Sequence, residues 1–246
     1  MPKTTWNHRK VTITKSKLSE KLSWDFQKKN DNGVFISSKL ATSRDFFICD
    51  RKKKWITNIY SRNRVHLLRS NHQAILTTSK TIMKDNSKLD CRIKGLEKYS
   101  PIKLILDKNL EIPVSKKIFK NSRKLKTFIF YNFKKELKLK KLKELNIKAI
   151  RIDIKDGNLN FDQIVIFLNK QGIYRVFIEA GLKFNNFLLK NNYINDFYHF
   201  YSKNLLGNNG YFKAKDFFNK MNSLKPIKKE IVANLFHDKL IKFSIK

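Results

Sequence analysis

Cysteine, glycine, proline and negative charge are all scarce in this 246-residue chain, and each shortage closes off a class of protein. Two cysteines, Cys49 and Cys91, are too few and too isolated for a disulfide framework or a metal cage, so a reducing compartment, the cytoplasm, is expected. Seven glycines and four prolines, set among abundant Ile, Leu and Phe, exclude collagen-like and low-complexity classes and point to an ordered globular protein. No apolar run approaches the roughly 18 residues a membrane span needs, and the amino terminus has no signal-peptide core, so neither a membrane nor export is expected. Met1 to Lys17, basic and hydroxyl-rich, lacks the apolar face of a transit peptide. Common catalytic signatures are missing too: no Walker loop, no Gly-x-Gly-x-x-Gly, no His-Glu-x-x-His, no Gly-x-Ser-x-Gly. The five histidines are scattered; His66 and His72 would fall on different sides of one helix, and no metal site is expected.

Positive charge, by contrast, is plentiful: 54 Lys and Arg against 20 Asp and Glu, a net +34. A basic face can bind phosphates through counterion release. Here the excess is mostly lysine, is spread over nearly the whole chain, and accompanies frequent Asn, Ile and Phe, residues that share adenine- and thymine-rich codons. A biased genome accounts for such a composition without a polyanionic partner. The densest run, Lys116 to Lys148, resolves into a strand (Thr127 to Tyr131) and a helix (Lys134 to Leu145) with Leu137, Leu142 and Leu145 on one side and lysines facing solvent. No nucleic-acid partner is expected.

Strand and helix periodicities alternate along the chain. Strands are predicted at Val34–Leu40, Gln73–Thr77, Ile102–Leu106, Thr127–Tyr131, Ala149–Ile152, Arg175–Glu179 and Phe197–Tyr201. Helices are predicted to end near Asn71 and to span Lys134–Leu145, Phe161–Lys170 and about Lys183–Asn191, with polar loops at 41–57 and 78–92. Runs at Glu230–Phe236 and Leu240–Ile245 form a hairpin across His237-Asp238-Lys239. The pattern is α/β: a mostly parallel sheet covered on both faces, plus an antiparallel carboxyl-terminal hairpin. Residues 1–32 are polar and poorly periodic, an extension outside a single domain at 33–246.

Arg64 to Arg92 is the most informative stretch, a helix end, a buried strand and a polar loop at the strand's carboxyl end, where ligands collect in such sheets. Together with Ser38-Lys-Leu-Ala-Thr-Ser-Arg-Asp45, Trp55-Ile-Thr57, Ser100-Pro-Ile-Lys-Leu-Ile-Leu-Asp107, Ile178-Glu-Ala-Gly181 and Leu205-Leu-Gly-Asn-Asn-Gly210, it resembles the reductase half of the bifunctional riboflavin-biosynthesis deaminase/reductase. The resemblance runs in the family's order from about Gly33 to the carboxyl terminus. It implies a dihydrofolate-reductase-like three-layer fold and NADPH-dependent reduction of 5-amino-6-(5-phosphoribosylamino)uracil to its ribitylamino product. The zinc deaminase signature has no counterpart in these residues, which implies a separate deaminase in the pathway; a homodimer is also implied.

The resemblance carries roles to individual positions. Arg69 and Arg92 match substrate contacts, and two guanidinium forks suit a phosphate dianion. Leu89 and Glu179 match substrate contacts as well. Ala41, Trp55, Thr81 and Asp85 match NADP contacts, as does the segment Gly181, Leu182, Lys183, Phe184, Asn185, Asn186 and Phe187, where a helix amino terminus can meet a pyrophosphate. Lys39 is the candidate for supplying or orienting the proton that accompanies hydride transfer.

The sequence departs from the family pattern in several places. Phe46 replaces a glycine that serves a backbone conformation a bulky residue resists. Lys53 replaces a substrate-contacting serine and can still pair with an anion; Asp85-Asn86-Ser87 replaces Asp-Asp-Pro; Leu182 replaces a proline. A catalytically silent relative that binds NADPH or a deaminase partner, or a reductase of another pyrimidine or pteridine, therefore stands beside the main reading. If the lysines are background, filter binding to DNA and RNA is weak at physiological salt; tight binding with a steep salt slope would instead mark a nucleic-acid groove.

Overall fold

The computed structural model describes residues 33–246; the expected extension at 1–32 lies outside the described residues. The chain forms strands β1 (Phe35–Thr42) and β2 (Phe47–Asp50), helix α1 (Ile59–Ser70), β3 (Ala74–Thr78), α2 (Ser79–Asp85), β4 (Ile102–Leu106), β5 (Thr127–Tyr131), α3 (Glu136–Glu144) and β6 (Ile147–Arg151). A small hairpin, β7 (Ile154–Lys155) and β8 (Asn158–Leu159), precedes α4 (Phe161–Lys170), β9 (Arg175–Glu179), α5 (Leu182–Lys190) and β10 (Asp196–Ser202). The chain closes with β11 (Gly210–Lys213), α6 (Lys215–Ser223), β12 (Lys228–Leu235) and β13 (Asp238–Ser244).

Among the described residues the main sheet has nine strands in the order β12-β13-β10-β1-β9-β3-β4-β5-β6. From β10 to β6 neighbouring strands are parallel, and β13 and β12 add the expected antiparallel hairpin. Strand alternation sends successive side chains to opposite faces. Leu104, Phe128, Phe130, Val176 and Ile178 join one core with the buried faces of α4, α5 and α6. Ile105, Ile129, Tyr131 and Phe177 join the other, with Leu68 of α1, Ile82 of α2 and Leu142 of α3. The three-layer α/β fold is thus observed.

Several expectations need correction. The polar loop 41–57 contains β2, which pairs with β11. The loop 78–92 begins with α2, because Thr78 accepts a hydrogen bond from Thr81 N and caps it. Leu137 does not share the inward side of α3: it is 80% exposed, and Leu139 packs inward with the fully buried Leu142. One buried lysine among the described residues lies outside the Lys116–Lys148 run. Lys103 on β4 is 1% exposed and donates to Ile118 O at 2.7 Å, and burial, partly offset by Asp90, brings its amine down to about 8.

The turn between β1 and β2 holds Phe46 at φ +65°, the left-handed conformation for which glycine is suited. Its ring packs against Tyr201, His199 and Phe218, with centroids 6.2, 6.3 and 5.6 Å away, which offsets the backbone strain. Asp45 in the same turn accepts hydrogen bonds from Leu206 N and Gly207 N, so motifs from opposite ends of the sequence are tied together. Gly210 lies beside them, and a Cβ there would sit 2.3 Å from the Phe47 ring. Phe46→Ala loses the ring and keeps the strain, whereas Phe46→Gly loses the ring and relieves it. In urea titrations both variants are expected to be less stable than wild type, with Ala the weaker by about 1 kcal/mol.

Candidate active site

The parallel strands point their carboxyl ends to one side of the sheet, and β9 is inserted there between β1 and β3. Glu179, the last residue of β9, is paired in register with Lys39 of β1, and Lys39 Nζ lies 3.6 Å from Glu179 Oε2. Arg69, in the last turn of α1, grips the same carboxylate with one edge of its guanidinium: Nε to Oε1 at 2.5 Å and Nη2 to Oε2 at 3.0 Å. Its remaining nitrogen, Nη1, donates to Asp90 O at 3.0 Å. Thr77 Oγ1, from β3, donates to Glu179 O at 2.8 Å and fixes the strand end.

Arg69 and Glu179 are each 7% exposed. Burial pushes the Glu179 carboxyl up, but the charges of Arg69 and Lys39 and the Arg69 hydrogen bonds outweigh it and hold the group at about 2. Burial likewise disfavours the charged Arg69, and the Glu179 charge reverses the effect and raises it. Both groups are therefore ionised at neutral pH. The helix carrying Arg69 is itself anchored: the Asn58 side chain accepts from Ser61 N, and Asp238 on β13 accepts from Asn58 N at 2.8 Å and Ser61 Oγ at 2.7 Å.

Arg92 sits differently from Arg69. Its side chain is 58% exposed and lies 3.7 Å from Asp90 Oδ1, and Nη2 is 3.2 Å from His66 Nε2. His66 Nδ1 in turn stands 3.1 Å from Asp90 O. Sequence reasoning left His66 among the scattered histidines; its position one turn before Arg69 on the same helix was the available signal.

The remaining expected residues divide. Thr81 is half-buried in the first turn of α2, and Asp85 is exposed at its end. Leu89 has φ +56° and is 3% exposed in the second core, so its side chain is packed against protein. Within 181–187, Asn185 is fully buried: it accepts from Ser38 Oγ at 2.5 Å and donates to Ala180 O at 3.0 Å. Phe184 and Phe187 pack on Phe161 of α4. Gly181 and Lys183 are exposed, Leu182 and Asn186 half-buried. Gly181 caps α5 without a side-chain hydrogen bond, and a Cβ there would meet nothing within 4 Å. Ala41 is half-buried at the end of β1. Lys53 and the 56% exposed Trp55 line a concavity of about 270 Å³ with Asp50, Lys52, Asn204 and Asn209. Trp55 lies between Lys54 and Arg62, each 5.3 Å from its ring.

The family described as the RibD C-terminal domain matches residues 34–233. The chain belongs to this family. A protein of Buchnera aphidicola from Baizongia pistaciae, "Riboflavin biosynthesis protein RibD", is 30% identical over 215 residues, covering 80% of this chain and 56% of that protein. A "5-amino-6-(5-phosphoribosylamino)uracil reductase" of Buchnera aphidicola from Acyrthosiphon pisum is 29% identical over 168 residues, covering 63% of this chain and 77% of the relative. The chain spans about half the length of the first relatives it matches. Among solved structures, Acinetobacter baumannii RibD superposes with a TM-score of 0.70 at 21% identity, over 92% of this chain and 62% of the other, which shows the same fold. This RibD C-terminal domain therefore builds the mouth of its parallel sheet around a charged cluster that is buried on one flank and open at Arg92.

Removing Arg69 leaves Glu179 buried with Lys39 as its remaining partner. Arg69→Leu is expected to cost about 3–5 kcal/mol in urea unfolding at pH 7, and the double variant with Glu179→Leu less than that. Because the Glu179 carboxyl is held below its ordinary 4.5, its contribution is present above pH 4.5 and is lost as pH falls toward 2. In Arg69→Leu the folded-state carboxyl rises toward or above that ordinary value, so this loss on acidification is expected to shrink or reverse.

Proposed function

We propose that this chain reduces 5-amino-6-(5-phosphoribosylamino)uracil to its ribitylamino product with NADPH in the cytoplasm, as the reductase step of riboflavin biosynthesis beside a separate deaminase. One observation carries the reading: the Lys39–Glu179–Arg69 cluster sits at the carboxyl end of β9 against β1, just before the uncapped start of α5. The family and the name of the Buchnera relative supply the reaction class.

NADPH fits this chain on a local test. The open space at Gly181 and the uncapped first turn of α5 leave N–H groups for a pyrophosphate, with Lys183 exposed beside them. Ala41, Trp55, Thr81 and Asp85 would complete the contacts, together with the exposed or half-buried part of 181–187. When bound, NADPH supplies the hydride.

The protein's own groups divide the rest of the work. Glu179, held as a carboxylate, accepts hydrogen bonds from substrate hydroxyls or amines. Lys39, charged and 3.6 Å from Glu179, presents the proton needed at the reduced centre. Arg69, with Nε and Nη2 on Glu179 and Nη1 on the Asp90 carbonyl, positions the carboxylate, so the phosphate falls to the exposed Arg92, with Lys53 as a second cation. The exposed Ile231 and Val232 on the edge strand β12 offer a second copy a place to pair, which suits a homodimer.

The test follows NADPH absorbance in the presence of the deaminated pyrimidine phosphate. Wild type is expected to consume one NADPH per substrate, and Lys39→Ala to lower kcat about a hundredfold. Folded protein that consumes none at high concentration rejects the reaction; an unchanged kcat in Lys39→Ala rejects the role of the lysine alone.

A further inference from the structure

The two strands that flank β9 send their chains on to different structures. Beyond β1 the chain turns through Phe46 into β2, which pairs with β11 so that Cys49 stands opposite Tyr211. Beyond β3 it enters α2 at once, with Thr78 as the cap. Since β9 lies between β1 and β3, the β2–β11 ribbon and α2 stand on two sides of the strand end that carries Glu179. Neighbouring strands are about 4.8 Å apart, so the two strands that launch them are separated by roughly 10 Å. Candidate NADPH contacts occur on both sides: Ala41 at the end of β1 and Trp55 beyond β2, against Thr81 and Asp85 on α2.

One side chain spans the gap. Lys84, in the last turn of α2, brings Nζ to 2.8 Å from Cys49 Sγ, 4.7 Å from the centre of the Tyr211 ring and 5.6 Å from that of Phe212. A lysine at an exposed helix end ordinarily keeps its rotamer freedom in water. This one is folded onto a thiol and two aromatic rings, whose faces attract a cation. Burial works against its charge, but the contacts with Cys49 and Tyr211 outweigh burial and raise its pKa, so the amine is an ammonium at neutral pH. Phe212 matches it from the ribbon side: at φ +59° and 62% exposed, it has a strained backbone that holds an apolar ring in solvent, and the ammonium gives that ring a partner.

We propose that Lys84 is a positioning residue for NADPH: it clasps α2 to the β2–β11 ribbon and so sets Thr81 and Asp85 against Ala41 and Trp55 before the cofactor arrives. The inference rests on the reading of this mouth as an NADPH site. Helix α2 has seven residues and is also bonded by the segment ahead of β5, where Lys116 Nζ donates to Met83 O at 3.4 Å and Lys117 N to Asn86 Oδ1 at 3.0 Å. Those bonds fasten it to the neighbouring loop, and Lys84 fastens it to the ribbon. With the clasp gone, the ordering of α2 against the ribbon has to be met out of the binding free energy of the cofactor, and affinity falls.

The experiment titrates NADPH into wild type, Lys84→Met, Lys84→Arg and Tyr211→Leu, read by nicotinamide fluorescence, and follows amide hydrogen exchange in the same proteins without cofactor. Met keeps the apolar stem and loses the charge; Arg keeps a cation over the rings. Lys84→Met is expected to weaken NADPH binding about tenfold and Tyr211→Leu severalfold, with Lys84→Arg within about threefold of wild type. Exchange at 47–50, 79–85 and 210–213 is faster in the Met and Leu variants before any cofactor is added. In turnover the KM for NADPH follows the Kd, while the KM for the pyrimidine and kcat stay nearly level. Binding by Lys84→Met equal to wild type, or equally weak in Met and Arg, overturns the proposal while wild type still binds NADPH. Weaker binding with unchanged exchange also overturns it and makes Lys84 a direct contact of the cofactor. Folded wild type that binds no NADPH overturns the cofactor reading, and the clasp with it.

Discussion

A buried carboxylate held by a buried guanidinium is the constraint on which the rest of this molecule turns. Taking two such charges out of water is costly, and the arrangement holds only where every edge of both groups is matched. Glu179 has Arg69 across both oxygens and Lys39 to one side; Arg69 has the Asp90 carbonyl on its last nitrogen. Those bonds fix three parts of the chain against one another: the end of β9, the last turn of α1 and the loop at Asp90. Because Asp238 and Leu235 also bond Asn58 at the other end of α1, the carboxyl-terminal hairpin shares in setting where Arg69 lies. A pair that adds little net stability can thus specify geometry.

Much of the fold was legible where local pattern and final environment agree. Strands Ile102–Leu106, Thr127–Tyr131 and Arg175–Glu179 and the helix Phe161–Lys170 have the bounds their hydrophobic runs indicate, since each is buried by layers that the same runs build. The short β2 escaped because its partner, β11, lies some 160 positions later, and four residues have no periodicity to read. Helix α6 escaped because Phe217, Phe218 and Met221 make a narrow apolar stripe in a polar segment. Leu137 misled for the opposite reason: a leucine on an exposed lysine-rich helix looks like a core residue.

The site was legible only through motif resemblance, and then unevenly. Glu179 and Arg69 are 110 positions apart, and nothing local to either shows that they bind each other. The resemblance matches both arginines to substrate contacts, whereas the structure buries Arg69 against Glu179 and leaves Arg92 exposed. Phe46 was legible in a different sense. A bulky residue at a position suited to glycine signalled strain, and the structure has that strain, at φ +65°, offset by an aromatic cluster that no local window contains.

Lys103 gives the basic surface an internal counterpart. Its amine is closed off under the turn at Ile118, while most other lysines among the described residues face water. An acylating reagent would modify those lysines on first contact and reach this one only through openings that part β4 from that turn. Its labelling rate is thus a built-in clock for local unfolding of the layer beneath the sheet, readable by mass spectrometry on a single peptide.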